Sequence, residues 1–268
     1  MPDDYIDLIY CDILYNTGKK FKDYDDNLGS TQQAIKWYEP RLIEMKRVLK
    51  DTGSIYIHCD RRLIYYLKIE MDSIFGFDNF RNEIVWNYAT PSQSKTFVKN
   101  TDRILLYTKS NTFIFNTQYM ANDKHENKIK SYLFEEDGNL YYYRGRNLKN
   151  SEYIRKFRAK EFVEDNKLQN MFSKIKYLGT KIGEVWSDLP TISQLTKENT
   201  GYSTQKPKAL LERIIKASSN EGDIVGDFFM GSGTTGEVAI ELGRKFIGCD
   251  IGEKACEISK QRIEKISI

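Results

Sequence analysis

The residues best suited to chemistry lie late in the sequence, in a glycine turn that is followed by an acid. The turn is Gly231, Ser232 and Gly233, and Asp250 comes after it at the spacing of about 20 residues that nucleotide-binding folds use. Glycines let a polar ligand approach the backbone amides closely. An acid at this spacing can hold a ribose diol through paired hydrogen bonds.

Two predicted strands and a helix must position this turn. An apolar strand at residues 223–229 leads into it, an amphipathic helix at residues 234–242 follows it, and a second apolar strand at residues 246–249 ends beside Asp250. This order of elements presents backbone amides to a polar ligand. Because the same order also serves packing alone, Asp250 is the residue that favours a ligand.

The turn lacks the features that bind phosphate groups. No basic residue follows it, and it does not end in the Lys and Ser or Thr of a phosphate-binding loop. A nicotinamide-dependent oxidoreductase is therefore disfavoured. A cofactor with a ribose and no phosphates fits better, and S-adenosylmethionine is the candidate.

The sequence FFMGSGTTG, preceded by TQKPKALLERIIKASS, resembles the cofactor half of the bacterial beta-class DNA amino-methyltransferases, which include type II and type III modification subunits. That family methylates adenine N6 or cytosine N4, and its catalytic motif precedes its cofactor motif. By resemblance, Lys206 closes over the cofactor carboxylate before a helix at residues 208–218. The resemblance assigns S-adenosylmethionine binding to Thr204, Gln205, Lys206, Asp227, Phe228, Phe229, Gly231, Ser232, Gly233, Thr234 and Asp250.

The early motif is DILY, formed by Asp12, Ile13, Leu14 and Tyr15, after a predicted strand at residues 8–11. It takes the place of the family's DPPY. An exocyclic amine is a poor nucleophile because its lone pair is delocalised into the ring, and acceptors that draw its hydrogens out of the ring plane restore it. The resemblance assigns this role to the Asp12 carboxylate and the Ile13 carbonyl. The Tyr15 ring would stack on a base flipped out of the duplex.

Both prolines of the family motif are absent from DILY. Replacing a proline changes the free energy of ordering by about 0.4 to 1 kcal/mol, which is less than about a tenfold step in rate. Because Asp12 and Tyr15 are present, we expect weakened catalysis. A binding-only relative stays open as an alternative, as does an Asp12 that merely ends a strand.

Helices and apolar strands alternate along the rest of the sequence. Apolar spacing predicts helices at residues 38–50 and 63–75 and strands at residues 54–59, 83–88 and 103–108. The alternation predicts an α/β fold with a mostly parallel sheet and helices on both faces. The resemblance specifies the Rossmann-like methyltransferase sheet, with one antiparallel strand in the last pair. Since few residues precede Asp12, we expect one sheet edge to be exposed or covered by a partner.

From residue 112 onward the apolar periodicity fades, and tyrosines and charges dominate. By resemblance, residues 112–200 are a target-recognition insert between a catalytic half at residues 1–111 and a cofactor-binding half at residues 201–268. A basic run with interleaved aromatic residues suits DNA binding, although a solvated helix face has the same composition. DNA contacts are predicted at Arg144, Arg146, Arg155, Lys156, Arg158 and Lys160.

Composition restricts the function without deciding it. The formal net charge of +3 and the pI of about 8.4 are mild, so the argument for DNA rests on local basic clusters. The four cysteines lack metal-site spacing and only two histidines occur, so no metal is expected. We interpret His58 as a residue that ends a strand. The acidic start MPDDYIDL and the lack of any run of 18 apolar residues predict a cytoplasmic protein without a membrane span.

The sequence therefore predicts a site-specific methyltransferase that moves a methyl group from S-adenosylmethionine to adenine N6 in double-stranded DNA, either in a restriction-modification system or as an orphan enzyme. Asp rather than Ser at position 12 favours adenine in this family, and cytosine N4 stays open. The alternatives are a weak or inactive DNA-binding specificity subunit and an RNA or protein methyltransferase. A homodimer and a restriction subunit are compatible partners.

Overall fold

The computed structural model describes residues 1–88, 94–120, 133–145, 172–192 and 196–266. The chain divides into two compact units, a larger one of Met1–Asn116 with Gly183–Ile268 and a smaller one of Thr117–Ile182. The smaller unit falls inside the predicted insert at residues 112–200. Both ends of that predicted insert belong to the larger unit.

The described elements follow in chain order. The strands are β1 (Ile6–Asp12), β2 (Lys19–Lys20), β3 (Asp25–Asp26), β4 (Leu49–Cys59), β5 (Phe80–Asn87), β6 (Thr101–Thr108), β7 (Tyr119–Met120), β8 (Phe134–Glu136), β9 (Asn139–Gly145), β10 (Phe172–Lys176), β11 (Thr180–Lys181), β12 (Val185–Trp186), β13 (Ile224–Asp227) and β14 (Lys245–Gly248). The helices are α1 (Thr31–Val48), α2 (Ile64–Phe75), α3 (Lys208–Ser218), α4 (Thr234–Glu241) and α5 (Glu253–Ile266), with a 3-10 turn at Phe77–Asn79. None of these helices is long and apolar enough to cross a membrane.

Seven strands of the larger unit form one sheet in the order β12-β5-β6-β4-β1-β13-β14. Strand β6 runs antiparallel to both of its neighbours, β4 and β5, and the other pairings in this sheet are parallel. The predicted mostly parallel sheet with one antiparallel strand is confirmed. Because β1 lies between β4 and β13, the early and late motifs follow neighbouring strands.

Helices cover both faces of this sheet. Ile9 of β1 and Ile55 and Ile57 of β4 are fully buried in a core that α1 and α2 complete. Successive side chains of a strand point to opposite faces. Tyr56 of β4 accordingly points away from that core, and its hydroxyl is 2.7 Å from the Ser218 hydroxyl at the end of α3.

The predicted boundaries that differ most from the structure are the starts of α1 and β4. Helix α1 begins at Thr31, well before the predicted start at residue 38, because Ser30 and Gln33 form a capping box. The Gln33 amide donates to the Ser30 hydroxyl at 3.3 Å, and the Ser30 amide donates to the Gln33 side chain at 2.7 Å. The prediction used only the apolar spacing near the end of the helix. Strand β4 begins at Leu49, directly after α1, instead of at residue 54.

The carboxyl ends of the parallel strands meet at one edge of the sheet, which is where ligands bind in open α/β folds. Asp12 at the end of β1 lies opposite His58 of β4. Asp102 of β6 lies opposite Trp86 of β5. The fold therefore collects Asp12, His58 and Asp102 at this edge.

The smaller unit consists of antiparallel pairings. Strands β8, β9 and β10 form a three-stranded sheet in the order β10-β9-β8, and β7 pairs with β11. The rings of Phe134 and Tyr141 stack with centroids 6.0 Å apart, and the Lys174 ammonium lies 4.5 Å from the Tyr141 ring centre. Aromatic and basic residues thus lie side by side on this small sheet.

Candidate active site

Asp12 ends β1 with both carboxylate oxygens engaged. Oδ1 accepts a hydrogen bond from the Tyr15 hydroxyl at 2.9 Å, and Oδ2 accepts one from the Lys206 ammonium at 2.5 Å. The Asp12 side chain is 20% exposed and that of Lys206 is 11% exposed. The first residue of the early motif is therefore in direct contact with the segment that precedes α3, although the two are far apart in sequence.

The Tyr15 hydroxyl bridges two carboxylates. Besides its bond to Asp12, it lies 3.4 Å from Oδ2 of Asp102. Burial, and then the charges of Asp12 and Asp102, raise the pKa of Tyr15 well above its ordinary value. The hydroxyl therefore stays protonated and donates. The Lys206 ammonium lies 5.4 Å from the Tyr15 ring centre.

The two residues that replace the prolines are fixed by contacts to neighbouring elements. The Ile13 amide donates to the His58 carbonyl at 3.2 Å, an interaction that a proline could not make. The Leu14 carbonyl accepts a bond from the Tyr38 hydroxyl of α1 at 2.8 Å. These bonds hold the DILY backbone in place, so part of the stiffness that proline supplies comes here from tertiary contacts.

A buried polar cluster behind Asp12 was not found by sequence reasoning. The His58 side chain is fully buried, and its Nδ1 lies 2.8 Å from the Tyr10 hydroxyl. Its Nε2 is 3.3 Å from Asp102 Oδ2 but has no partner at hydrogen-bond geometry within the described part of the chain. The Tyr88 hydroxyl donates to the other Asp102 oxygen at 3.2 Å. His58 therefore does more than end a strand, since it contacts the groups that hold Tyr15.

The electrostatics of this cluster favour an ionised Asp102. Burial alone would raise its pKa, but the interaction with His58, followed by the charge of Lys206 and the Tyr88 hydrogen bond, outweighs burial and holds the pKa below its ordinary value. The signal that could have found the cluster is positional. Both His58 and Asp102 come at strand ends, but only the pairing of β4 with β6 brings them together.

The glycine turn between β13 and α4 adopts a conformation that favours glycine. Gly231 has φ +48° and Gly233 has φ +75°, which is the left-handed region. The Gly231 amide donates to Asp250 Oδ2 at 2.9 Å, and the Gly252 amide donates to Oδ1 at 2.8 Å. A carboxylate offers about four acceptor positions, so these two bonds leave capacity for a ribose diol.

The carboxylate of Asp227, at the end of β13, stabilises the glycine turn. It accepts bonds from the Phe229 amide at 3.0 Å and from the Thr235 hydroxyl at 2.6 Å. The residue is 2% exposed. Burial raises the pKa of Asp227 to about 7, against the effect of these two hydrogen bonds. Its contacts are thus explained by the conformation of the turn.

Ser232 and Thr234 are held by an arginine that the sequence did not single out. Arg262 of α5 donates to the Ser232 carbonyl at 2.9 Å and to the Thr234 hydroxyl at 3.0 Å, and it forms an ion pair with Glu237 of α4. The side chains of Ser232 and Thr234 are therefore engaged within the protein.

The segment before α3 is fixed by side-chain hydrogen bonds. The Gln205 amide nitrogen donates to the Glu198 carbonyl at 2.7 Å, and its oxygen accepts from the Thr200 hydroxyl at 2.7 Å. Thr204 has φ +62°, and its hydroxyl lies 3.0 Å from that of Tyr24. These bonds orient the segment so that Lys206 points to Asp12. The predicted contact of Lys206 with a cofactor carboxylate stays a prediction.

One cavity of about 1330 Å³ joins the early and late motifs within the larger unit. Aromatic side chains that the sequence did not suggest also line it, among them Trp37, whose ring centre is 6.1 Å from that of Phe229, and Tyr202. Of the predicted catalytic and cofactor residues, Gly233 is not among its lining residues. The cavity is lined by the others, namely Asp12, Ile13, Leu14, Tyr15, Thr204, Gln205, Lys206, Asp227, Phe228, Phe229, Gly231, Ser232, Thr234 and Asp250.

Comparison with known proteins identifies the family. The model of the DNA methylases that act at N6 or N4 matches residues 6–261. The chain belongs to this DNA methylase family. It is 32% identical over 272 residues to the DNA adenine methyltransferase YhdJ of Escherichia coli (strain K12), covering 100% of this chain and 79% of that protein. It is 31% identical over 266 residues to the type II methyltransferase M.HpaI of Haemophilus parainfluenzae, covering 98% of this chain and 70% of that one.

This methylase has the same fold as solved structures to which it is similar. The M1.HpyAVI–SAM complex superposes with a TM-score of 0.55 at 22% identity, covering 97% of this chain and 89% of that one. The cytosine-N4-specific PvuII DNA methyltransferase gives a TM-score of 0.60 at 16% identity, covering 99% and 84%. At these identities the likeness establishes the fold, and the predicted methyltransferase architecture is confirmed.

The residues of this methylase fit an adenosine-bearing cation. The rings of Phe229 and Trp37 line the cavity and offer apolar surface to a base, the glycine turn leaves room for close approach, and Asp250 has acceptor capacity for a ribose. The carboxylates of Asp12 and Asp250 also favour positive charge in the cavity.

The predicted DNA contacts of this methylase fall mostly outside the described residues. This is the case for Arg146, Arg155, Lys156, Arg158 and Lys160. Arg144 lies in β9 opposite Ser173 of β10, and only its backbone is described. These six contacts remain predictions.

Proposed function

We propose that this methylase transfers a methyl group from S-adenosylmethionine to N6 of adenine at a specific site in double-stranded DNA. The observation that carries the proposal is the continuous cavity of the larger unit, which joins Asp12 and Tyr15 to the glycine turn and Asp250. A methyl donor at the turn and a target amine at Asp12 would share this space. Cytosine N4 is the second target that the same arrangement can serve.

In the proposed reaction the target amine donates its hydrogens to the Asp12 carboxylate and the Ile13 carbonyl. These acceptors return the nitrogen lone pair to the reacting position. When bound, S-adenosylmethionine supplies an electrophilic methyl group on a sulfonium. N6 gains the methyl group as the carbon–sulfur bond to that methyl breaks and a neutral thioether leaves, and N6 releases one proton, for which Asp12 is the acceptor that we assign.

Lys206 has a definite part in this scheme, because its ammonium holds the oxygen of Asp12 that the amine needs. We assign to it the role of occupying Asp12 until the target base enters. Displacing it leaves Asp12 and the ionised Asp102 facing the reacting centre. Two carboxylates near a developing cation stabilise the transition state of a methyl transfer.

The test is methyl transfer to DNA by the purified full chain. Tritiated S-adenosylmethionine is incubated with mixed-sequence duplex DNA, and the product nucleosides are separated to distinguish N6-methyladenine from N4-methylcytosine. Sequencing of host DNA with and without the gene then maps the modified site. Label in N6-methyladenine that is lost in D12A is the expected result. Cofactor binding without transfer to any DNA contradicts the enzymatic role.

A second candidate function is a DNA-binding specificity subunit with weak or no activity, which the DILY sequence favours. The two variants Leu14→Pro and Ile13→Pro separate the two functions. Among the described contacts the Leu14 amide has no hydrogen bond to lose, whereas Ile13→Pro removes the bond to the His58 carbonyl. If the chain is an enzyme with weakened activity, Leu14→Pro should raise the rate of methyl transfer more than Ile13→Pro does. If the chain is an inactive relative, neither variant should transfer methyl groups.

We also propose that residues 112–200 read the target sequence, with DNA contacts at the six basic residues predicted above. The relatives include a probable type III restriction-modification Mod subunit, HindVI of Haemophilus influenzae, at 26% identity. A restriction partner is therefore part of the proposal, and a homodimer is proposed as a compatible assembly. Size measurement of the purified chain in solution tests the homodimer.

A further inference from the structure

The loop between β5 and β6 exposes an aromatic side chain between two basic ones. Phe97 is 97% exposed, and Lys95 and Lys99 on either side of it are also exposed. Residues 94–100, SKTFVKN, contain no acidic residue. A single exposed apolar residue is ordinary on a protein surface, so the argument depends on where this loop lies.

The loop leaves the sheet beside the reacting groups. The Tyr88 amide donates to the Asn100 carbonyl at 3.0 Å, and this bond closes the base of the loop. The Tyr88 hydroxyl donates to Asp102, which in turn lies within 3.4 Å of the Tyr15 hydroxyl. Tyr88 and Asp102 both line the cavity. The base of the loop that carries the exposed residues is therefore hydrogen-bonded to Asp102 through Tyr88, at the catalytic edge of the sheet.

We propose that residues 95–99 contact the target duplex, with the Phe97 ring inserted into the base stack at the gap that the extruded base leaves, and with Lys95 and Lys99 on the flanking phosphates. The inference rests on the proposed function, because it requires a base that enters the cavity. It identifies a DNA-contact surface on the larger unit, separate from the basic run of the insert.

The physical reason is the cost of opening the duplex. A flipped base loses its stacking and pairing, and an apolar side chain that takes its place restores stacking to the neighbouring bases. One aromatic ring stacked on a base changes affinity about 5- to 150-fold. The two lysines supply the electrostatic attraction that brings the loop to the phosphates.

The matched control is Phe77, which is 72% exposed. It lies in the 3-10 turn before β5, whereas the loop follows β5, so the two rings lie at opposite ends of one strand. Neither ring is among the residues that line the cavity. Phe97→Ala and Phe77→Ala therefore remove the same exposed ring from opposite edges of the sheet.

The experiment uses the full chain and a duplex that carries the mapped target site. In one duplex 2-aminopurine replaces the target adenine, and its fluorescence reports extrusion. Phe97→Ala should reduce the fluorescence rise and lower kcat/KM for the unmodified duplex about 5- to 150-fold. Binding of S-adenosylmethionine should be unchanged, and Phe77→Ala should match the wild type. A target adenine placed opposite an abasic site should recover most of the loss in Phe97→Ala, because extrusion is then less costly.

The lysines are tested separately through salt dependence. Each phosphate contact contributes about 0.9 to the slope of log affinity against log salt. Lys95→Gln with Lys99→Gln should therefore lower that slope by about two.

The outcomes separate the two proposals. Methylation by the wild type with Phe97→Ala unchanged contradicts the insertion alone. A loss in Phe97→Ala of equal size on the ordinary and abasic-paired duplexes also overturns it, because a folding defect would act on both. A wild-type chain that methylates no DNA contradicts the proposed function and the insertion with it.

Discussion

At the scale of single residues, Asp12 unites both motifs, because one oxygen is bound to Tyr15 and the other to Lys206. A carboxylate with both oxygens engaged is held in one orientation before any substrate arrives. Preorganised acceptors of this kind need little rearrangement when charge develops. The contact also links Lys206, which the sequence predicts to bind the cofactor, directly to the catalytic motif.

Asp12→Asn should lower the rate of methyl transfer by about 100- to 1000-fold, because the amide keeps the shape and loses the charge that stabilises the transition state. Cofactor affinity should fall much less than the rate, since the glycine turn and Asp250 are not altered. Single-turnover rates and calorimetric titration measure the two quantities. Asp51→Asn, at an exposed position of β4, is the control and should leave both unchanged. Equal rates in Asp12→Asn and the wild type would exclude Asp12 from the chemistry.

Tyr15 has two separable parts, a hydroxyl that bridges Asp12 and Asp102 and a ring that faces the cavity. Tyr15→Phe removes hydrogen bonds to charged groups, which are each worth about 1.5 to 3 kcal/mol, and should lower kcat about tenfold or more. Tyr15→Ala removes the ring as well as the hydroxyl. The loss of stacking should make its kcat/KM about 5- to 150-fold lower than that of Tyr15→Phe. Steady-state kinetics on the mapped duplex compares them. Identical losses in both variants would show that the ring does not stack on the base.

At the scale of elements, the unit formed by β13, the turn and α4 depends on backbone geometry that side chains then stabilise. Asp227 holds the turn from the strand side, and Arg262 of α5 holds it from the helix side. Asp250 binds the Gly231 amide from the end of β14. Three elements therefore converge on one short turn, which leaves its backbone as the surface offered to the ligand.

Gly233→Ala should damage this unit for two reasons. The residue has φ +75°, which disfavours a side chain. An added Cβ would lie 2.5 Å from the Ser259 hydroxyl oxygen and 2.8 Å from the Ser259 Cα of α5. We expect a loss of roughly 1 to 3 kcal/mol in the free energy of unfolding and weaker cofactor binding. Urea unfolding and calorimetry measure both.

The control for Gly233→Ala is Gly183→Ala, since an added Cβ at Gly183 meets no atom within 4 Å and no positive φ is involved. That variant should bind the cofactor as the wild type does. If Gly233→Ala unfolds at the same urea concentration as Gly183→Ala, the turn is not held as tightly as its contacts indicate.

Elements whose bounds are marked by neighbouring residues in the sequence could be predicted. Features that depend on contacts between residues far apart in the sequence could not. Helix α3 was predicted with its observed bounds because Pro207 marks its start and a regular apolar stripe follows. The start of α1 was missed because a capping box, not an apolar residue, determines it. The cluster of His58 and Asp102 depends on the register of β4 with β6, which neither residue's neighbours in sequence encode.

At the scale of the whole molecule, the order of the motifs along the chain is unrelated to their order in space. The catalytic strand β1 comes first and the cofactor strand β13 comes late, yet Leu8 pairs with Val225 and Ile9 with Gly226 in a parallel ladder. Parallel pairing brings both carboxyl ends to the same edge. The two halves of the site are therefore assembled only when residues from both ends of the larger unit have joined one sheet.

The pH dependence of the free energy of unfolding should report this assembly, because Asp227 titrates at the end of β13. Its pKa is raised from an ordinary value near 3.8 to about 7 by burial, so folding favours the protonated form. The stability that this group contributes is complete below the unfolded pKa and is lost as pH rises through about 7. The loss is on the order of 4 kcal/mol for a shift of this size in a buried group.

Asp227→Asn replaces the titrating group with a neutral one. The free energy of unfolding of the wild type, minus that of Asp227→Asn, should therefore fall between pH 4 and pH 7 and level off above about pH 8. Other groups, such as Asp102 with its lowered pKa, titrate in both proteins and cancel in the difference. The lost hydrogen bond from Thr235 shifts the difference by a constant and does not change its slope. Urea unfolding across this range measures the curve. A difference for Asp227→Asn that stays flat or rises with pH would mean that Asp227 is ionised in the folded protein and that the turn is less closed to water than its burial indicates.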